Sequence, residues 1–308
     1  RNRRDEYYPD ADVYTDHEAV LDRDDVRIAD VTTNPGPRPP IVEDALRSGT
    51  HVLSQKPFVE DLETGRRLAD LAASEGVRLA INQNGRWAPY FAYVRGLLES
   101  GTLGEPTSGH VTVQWNHDGG YEGRHHLFYR FGIHFLDQLA CLLGSPDRVF
   151  ATTARTATQR SAIPLLGQIQ LEYPDAQASV TLDGNVAAGV NFRTVVAGSD
   201  ATCEVTGPGE PWDAGDGTLG RLPWQRASLS VYLPEGGVTP ELRGEWNTEG
   251  FHGAMAELQA AVAAGREPDH SARNNLDTMA LVFAACGSAV DGEPKRPGEV
   301  ERLPGGEG

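Results

Sequence analysis

Hydrophobic and polar positions alternate in two different ways along this chain, and the change falls near residue 107. In the first part, short apolar runs of strand length lie at 27–32, 51–53 and 77–81. Apolar residues at helical spacing predict helices at 40–47, at 62–76 and at 89–99. Strands that alternate with helices at this spacing are typical of βαβ units with a parallel sheet.

From Thr107 onward, the alternation has a period of two, which is typical of half-buried antiparallel strands. Such strands are predicted at 109–115, 166–173, 178–182, 192–197 and 201–206. Apolar residues almost all round the segment 131–143 predict a buried helix, and two more helices are predicted at 251–264 and 275–290. We therefore predict an α/β domain over residues 1–107 and an α+β domain with a mostly antiparallel open sheet over residues 108–308.

Composition and charge argue against several classes of binding partner and of protein. The net charge of −17 argues against nucleic acid and against an anionic membrane surface. No apolar run approaches the roughly 18 residues of a membrane-spanning helix, and no secretory signal is visible. The three cysteines are odd in number and scattered, so neither a disulfide framework nor a zinc site is indicated. We predict a cytoplasmic protein that acts on small molecules.

Lys56 stands out because the chain has 27 basic residues and only two of them, Lys56 and Lys295, are lysines. It follows the apolar run at 51–53, so it is predicted at the carboxyl end of a buried strand, where ligands bind in open α/β sheets. A lysine differs from arginine in its compact ammonium group and its adjustable pKa. A surface lysine without a function is the alternative.

His134 and Asp137 form the second candidate pair. They are three positions apart on the predicted helix at 131–143 and therefore lie on one face. A buried imidazole and a buried carboxylate must satisfy each other or line a cleft, and a histidine that is held by an aspartate can act as a general acid and base. A purely structural pair remains the alternative.

Two other patterns carry less weight. Histidines 110, 117, 125 and 126 have no spacing typical of metal ligands, so no metal is predicted. The one Gly-x-Gly-x-x-Gly segment, residues 215–220, lies in a loop-like stretch and neither follows a strand nor opens a helix, so it is not a dinucleotide fingerprint.

The order of these segments resembles a known family. A strand that ends in Thr32-Thr33-Asn34, then Gly49-Thr50-His51-Val52-Leu53-Ser54-Gln55-Lys56-Pro57, and then Gly132-Ile133-His134-Phe135-Leu136-Asp137 are similar to segments of the Gfo/Idh/MocA NAD(P)-dependent oxidoreductases. The resemblance extends from about residue 14 to residue 297. Gln55 stands where the family has Glu in its Glu-Lys-Pro motif, and the Gly-x-His-x-x-Asp motif is intact.

The resemblance implies a Rossmann-like first domain, NAD or NADP as the cofactor, a sugar-like substrate and a homo-oligomer. It implies that Lys56 hydrogen-bonds the reacting hydroxyl, that His134 accepts its proton, and that Asp137 orients His134. Thr33, Asn34, Gln55, Lys56 and Arg86 are the expected cofactor-side residues, and Arg130 and Trp87 the expected substrate-side residues. The Lys56–Pro57 peptide bond is expected to be cis.

Three departures from the family pattern favour an alternative function. In this alternative, the chain is a non-catalytic binding protein that has the fold but does not bind the cofactor. Gln55 replaces Glu, and Arg130 replaces an Asp that many members have, which suits an anionic substrate unless Arg130 pairs with Asp137 or faces water. The glycine-rich βα unit that the family carries before the equivalent of residue 14 is not found in these 308 residues. We therefore expect this chain alone to bind nicotinamide cofactors weakly.

Overall fold

The apolar runs of the first part form a parallel sheet of three strands. The computed structural model describes residues 6–116, 123, 125–186, 189, 191–207 and 226–305. The strands are β1 (Ile28–Val31), β2 (His51–Gln55) and β3 (Leu79–Asn82), with β2 in the centre. All of β3 and the middle of β2 are buried. Strands that are covered on both faces are uniformly apolar, which explains their continuous hydrophobic runs.

A helix follows each of these strands, as the sequence predicts: α2 (Arg38–Arg47), α3 (Leu62–Ser74) and α4 (Pro89–Glu99). A short helix, α1 (Glu18–Leu21), precedes β1. Prolines in the first turn of α2 fit a position whose N–H groups have no partner within the helix. The carboxylate of Asp61 caps α3 by accepting a hydrogen bond from the Thr64 N–H at 2.7 Å. A short 3-10 turn, Asn84–Trp87, joins β3 to α4.

The second sheet has eight strands and is antiparallel except where β4 runs parallel to β7. Its strands are β4 (Pro106–Gln114), β5 (Arg148–Ala154), β6 (Leu166–Glu172), β7 (Gln177–Asp183), β8 (Asn191–Gly198), β9 (Thr202–Thr206), β10 (Ser228–Leu233) and β11 (Gly236–Val238). Their order in the sheet is β11-β10-β9-β8-β4-β7-β6-β5. Buried residues alternate with exposed or half-buried ones along β6 and β7, so one face of the sheet is covered and the other is open.

Three further helices pack against the two sheets. A π-helix, His126–Gly132, leads into α5 (Ile133–Leu143), which packs on β4 and β7. Helix α6 (Trp246–Ala264) returns to the first sheet, where Leu258 packs with Leu53 and Ala80. Helix α7 (Ala272–Asp291) is buried along most of its length between α3 and β3 on one side and β5 on the other.

The predicted fold class is confirmed, with differences in detail. Strands β5, β10 and β11 were not predicted, and the helix predicted at 131–143 begins as part of the π-helix. The C-terminal helices do not pack on the second domain alone, because α6 covers β2 and β3. The boundary at residues 107 and 108 stays a prediction; it falls within β4.

Candidate active site

Lys56 lies at the carboxyl end of β2, as predicted, and its side chain is partly buried. The ammonium Nζ donates a hydrogen bond to the backbone carbonyl of Arg130, in the π-helix, at 2.7 Å. The Lys56–Pro57 peptide bond is cis, as the resemblance implies. The Gln55 amide oxygen accepts a hydrogen bond from the Lys56 N–H at 2.9 Å. The lysine therefore reaches from the first sheet to the segment that opens α5.

The charges around Lys56 are mostly positive. Burial lowers the pKa of the Lys56 ammonium to about 8, and the nearby guanidinium groups of Arg130 and Arg38 add to the effect. Burial also lowers the pKa of Arg38, to about 10. A lysine with such a pKa can change its protonation state close to neutral pH, which an arginine cannot do.

His134 lies in the first turn of α5 and is half-buried. Burial, and then the charge of Lys56, hold the pKa of its imidazole well below the ordinary range, so the ring is neutral. Its Nδ1 atom is buried and has no hydrogen-bond partner among the described residues. The ring of Trp246 stands edge-on to the imidazole, with 5.5 Å between the centroids. The charge of Lys56 thus acts on His134, and the prediction that both side chains line one cleft stays a prediction.

The prediction that Asp137 orients His134 is wrong. Both carboxylate oxygens of Asp137 accept hydrogen bonds from Arg86, at 2.7 and 2.8 Å, and one of them also accepts from the Thr278 hydroxyl at 2.7 Å. Arg86 and Asp137 are both buried, and a buried carboxylate is stabilised most by a bidentate guanidinium. Helical spacing shows which residues share a face, but it could not identify Arg86 as the partner of Asp137.

The same ion pair bears on the expected cofactor role of Arg86 and on a pairing considered for Arg130. The third nitrogen of Arg86 donates to the backbone carbonyl of Asp269 at 2.9 Å, so each guanidinium nitrogen has a protein partner and the side chain ties the 3-10 turn to α5 and to the chain before α7. The expected cofactor role of Arg86 stays a prediction. Asp137 pairs with Arg86 and not with Arg130.

The other candidate residues occupy varied environments. Thr33 and Asn34 are exposed at the carboxyl end of β1, and Arg130 is partly buried near Lys56. Trp87 packs edge-on against His270, with 4.7 Å between ring centroids. The roles of Thr33, Asn34, Gln55, Trp87 and Arg130 toward ligands stay predictions.

Sequence reasoning missed two residues of this site, Arg38 and Trp246. Arg38 is buried and bonded to the backbone on both sides of Lys56. The indole nitrogen of Trp246 donates to the Asn84 side-chain oxygen at 3.3 Å and so fixes the ring beside His134. A tryptophan in the polar segment Glu245-Trp246-Asn247 was a usable signal, but nothing local connects it to residue 134.

The histidines that were considered for a metal have other partners in the described ranges. His110 is hydrogen-bonded to Ser179 at 2.8 Å and His125 to the carbonyl of Pro304 at 2.6 Å, whereas His117 lies outside the described residues, as does the glycine segment 215–220. His17, Glu18 and Asp44 bring ligand atoms within 4.8 Å of one another, in an exposed cluster.

Among the helices described, none has the length and apolar character needed to cross a membrane.

Comparisons with known proteins agree with this fold. Residues 4–83 match the family model "Oxidoreductase family, NAD-binding Rossmann fold", and residues 91–204 match the model "GFO/IDH/MocA C-terminal domain". A D-apiose dehydrogenase of Paraburkholderia graminis is 26% identical over 309 residues, covering 91% of this chain and 75% of that protein. An uncharacterized oxidoreductase of Schizosaccharomyces pombe is 29% identical over 62% of this chain, and the match spans only 56% of its length.

A solved structure gives the same fold. An oxidoreductase from Agrobacterium radiobacter, in complex with NAD+, L-tartaric acid and magnesium, superposes with a TM-score of 0.79 at 22% identity, over 92% of this chain and 84% of that one. The residues of the first domain fit such a cofactor, because exposed Thr33 and Asn34 and the half-buried Lys56 lie at carboxyl ends of adjacent parallel strands. The chain belongs to the Gfo/Idh/MocA family of oxidoreductases, with an NAD-binding Rossmann domain followed by a domain built on a large mixed sheet.

Proposed function

We propose that this protein is a dehydrogenase that transfers hydride between a CH–OH group of a sugar, polyol or sugar acid and NAD or NADP. One observation carries the proposal: a half-buried lysine of lowered pKa, at the carboxyl end of β2, is close enough to a neutral histidine for its charge to act on the imidazole. A bound nicotinamide would supply the hydride acceptor. The dehydrogenase names of relatives such as the D-apiose enzyme support the substrate class.

The two side chains divide the chemistry between them. The Lys56 ammonium donates a hydrogen bond to the substrate oxygen and stabilises the negative charge that develops there. Neutral His134 can take the hydroxyl proton. Since Nδ1 is buried, Nε2 is the nitrogen that meets the substrate. Trp246 fixes the ring on its edge, a task that the resemblance had assigned to Asp137.

Arg130 favours a substrate with an anionic group. Its guanidinium is close enough to Lys56 and Arg38 to lower the pKa of both, so the cleft of this acidic protein has a locally positive potential. A carboxylate next to the reacting carbon would be attracted to it. The L-tartaric acid in the Agrobacterium structure is a hydroxy acid of that kind.

The test has a binding arm and a turnover arm. Calorimetry with NAD+, NADH, NADP+ and NADPH measures cofactor binding, and the absorbance of reduced nicotinamide measures turnover on matched pairs of aldoses and aldonates. Both are done with the 308 residues alone and with the same residues preceded by a strand, glycine-rich turn and helix. We expect binding and turnover with the extended chain, and faster turnover of the anionic member of each pair.

The rival proposal is a non-catalytic binding protein, which the Gln55 substitution favours. If neither form of the chain binds a nicotinamide cofactor, the dehydrogenase proposal fails and the rival stands. If the extended chain turns over neutral sugars faster than aldonates, the oxidoreductase proposal stands and the anionic substrate is wrong.

Subunit pairing is the second part of the proposal. The open face of the eight-stranded sheet carries exposed aromatic rings, Phe150 on β5 and Tyr232 on β10, which favour contact with another surface. We expect a homo-oligomer by sedimentation equilibrium and a monomer for the Phe150→Glu, Tyr232→Glu double variant. A monomeric wild-type protein would contradict this part alone.

A further inference from the structure

Arg38 is an unusual residue because it is buried and has no carboxylate partner among the residues that the structure describes. It lies in the first turn of α2 with only 2% of its surface exposed, and all of its hydrogen bonds go to backbone carbonyl groups. Removing an ion from water costs several kcal/mol unless its donors are well satisfied. Because burying the Arg38 guanidinium is costly, we infer that its hydrogen bonds to the backbone have a structural or functional role.

The acceptors of Arg38 surround Lys56 along the chain. Its Nη1 donates to the carbonyls of both Gln55 and Pro57, which are the residues immediately before and after Lys56. Its Nε and Nη2 donate to the Thr33 carbonyl, at 3.0 Å for Nε. One side chain thus joins the carboxyl ends of β1 and β2 and holds the backbone on both sides of Lys56.

We propose that Arg38 is a positioning residue for Lys56: its guanidinium fixes the two peptide groups that flank the lysine and so directs the ammonium into the cleft. The catalytic meaning of this clamp rests on the proposed function. The clamp itself does not, because it consists of contacts between Arg38 and the backbone.

A guanidinium is suited to this task in two ways. Its planar fork reaches three carbonyl oxygens at once, whereas a lysine ammonium is a single flexible point donor. Its charge also acts on the residue that it positions. Lys56 is faced by Arg38 from α2, by Arg130 from the π-helix and by His134 from α5, and the two guanidinium groups add to burial in lowering the Lys56 pKa.

The chain offers a direct measurement, because Lys56 and Lys295 are its only lysines. Lysine labelled with 13C at the ε carbon gives two NMR signals, one for the buried site and one for an internal reference. The variants are Arg38→Gln, which removes charge and fork, and Arg38→Lys, which keeps the charge. Arg47→Gln and Arg47→Lys are matched controls, since Arg47 lies on the same helix, is exposed and pairs with Glu43.

We expect Arg38→Gln to raise the Lys56 pKa by a fraction of a unit, since burial and Arg130 have the larger effects, and Arg38→Lys to leave it nearer the wild-type value while still moving the Lys56 signal. In the extended chain, both variants should lower kcat at least about tenfold, with a smaller change in KM. A misaligned Lys56 ammonium stabilises the transition state less, whereas it changes the binding of the substrate little. The Lys295 signal should not move, and the Arg47 variants should behave as wild type.

The outcomes separate this proposal from the proposed function. A folded Arg38→Gln protein whose Lys56 signal keeps its position and its pKa would overturn the clamp, even if the enzyme is active. If Arg38→Gln does not fold, an unmoved Lys56 signal and unchanged kcat in Arg38→Lys overturn it equally. If the wild-type protein proves inactive, the dehydrogenase proposal fails while the NMR titration still decides the role of Arg38.

Discussion

Lys56 is the residue on which the candidate site depends. If its ammonium is the donor to the substrate oxygen, Lys56→Ala in the extended chain should lower kcat by a factor of about 100 or more. Lys56→Arg should not recover activity, because the larger planar group cannot replace a point donor bonded to the Arg130 carbonyl. Steady-state kinetics gives the turnover of both variants. Lys295→Ala, which changes the other lysine of the chain, is the control. Near-normal turnover of Lys56→Ala would contradict the assignment.

The two lysines should also contribute oppositely to the pH dependence of stability. Folded Lys56 releases its proton near pH 8, whereas in the unfolded chain it does so near its ordinary value of 10.5. Between these values the unfolded state binds more protons, so this residue makes the free energy of unfolding rise with pH. Lys295 has a raised pKa because it is hydrogen-bonded to Asp291, so its contribution is lost as pH rises above its ordinary pKa.

Urea unfolding from pH 7 to pH 10.5 measures this effect for the wild type, Lys56→Met and Lys295→Met. Relative to the wild type, Lys56→Met should be more stable at pH 7 and lose that advantage by pH 10.5. The difference in stability between Lys295→Met and the wild type should stay nearly constant over that range, because the contribution of Lys295 is lost only above its ordinary pKa of 10.5. Parallel curves for the wild type and Lys56→Met would show that Lys56 titrates normally.

At the scale of single residues, the sequence predicted positions better than partners. An apolar run and the polar residues after it predict that Lys56 lies at the end of a strand. The helical spacing of apolar residues predicts that His134 lies on a buried helix. The partner of Asp137 is Arg86, 51 positions away, and Arg38 is bonded to residues 17 and 19 positions away. Such contacts depend on how elements pack, which no local pattern specifies.

The Arg86–Asp137 pair leads to a prediction about how elements are held together. Asp137→Asn leaves a buried guanidinium without its counter-charge and should cost about 3–5 kcal/mol in the free energy of unfolding. Glu204→Gln, at the exposed pair with Arg193, should cost less than about 1 kcal/mol. Urea unfolding gives both values. Because the hydrogen bonds of Asp137 go to Arg86 and Thr278, an NMR titration of His134 should be unchanged in Asp137→Asn, and a large shift would restore the orienting role.

Close packing of α6 on the 3-10 turn depends on two glycines. A Cβ at Gly250 would lie 2.6 Å from the carbonyl oxygen of Asn84, and one at Gly253 would overlap the Trp87 ring. Gly250→Ala should therefore destabilise the fold by about 1–3 kcal/mol, since a backbone atom cannot move aside easily. Gly96→Ala, in the interior of α4 with no neighbour within 4 Å, should instead stabilise by about 0.5–1 kcal/mol. Thermal unfolding compares them, and a stabilised Gly250→Ala would contradict the close approach.

Elements were predicted well where the pattern was continuous. Helix α4 has the predicted bounds, 89–99, because Pro at its start and Gly101 with φ 75° after its end both favour termination there. The π-helix was not predicted, since an extra residue per turn does not change which residues are apolar. Strand β11 was missed because its sequence, Gly-Gly-Val, has little strand propensity.

At the scale of the whole molecule, the division into two domains along the sequence is only partly reflected in the packing. Helix α7 belongs to the C-terminal half by sequence, yet it packs against α3 and β3 as well as β5. Its centre, from Thr278 to Ser288, is buried at every position. Sequence patterns could show that α7 is a core helix but not that it serves two sheets.

This sharing predicts cooperative unfolding of both sheets. Phe283 in α7 is fully buried, so Phe283→Ala should cost about 3–5 kcal/mol. If the sheets unfold together, amide exchange in β2 and in β6 should accelerate by the same free energy, because both then report one global opening. Phe251→Ala, at an exposed position of α6, is the control and should change neither. Acceleration in β6 without acceleration in β2 would show that the two sheets are independent units, and that α7 holds the first sheet too weakly to couple it to the second.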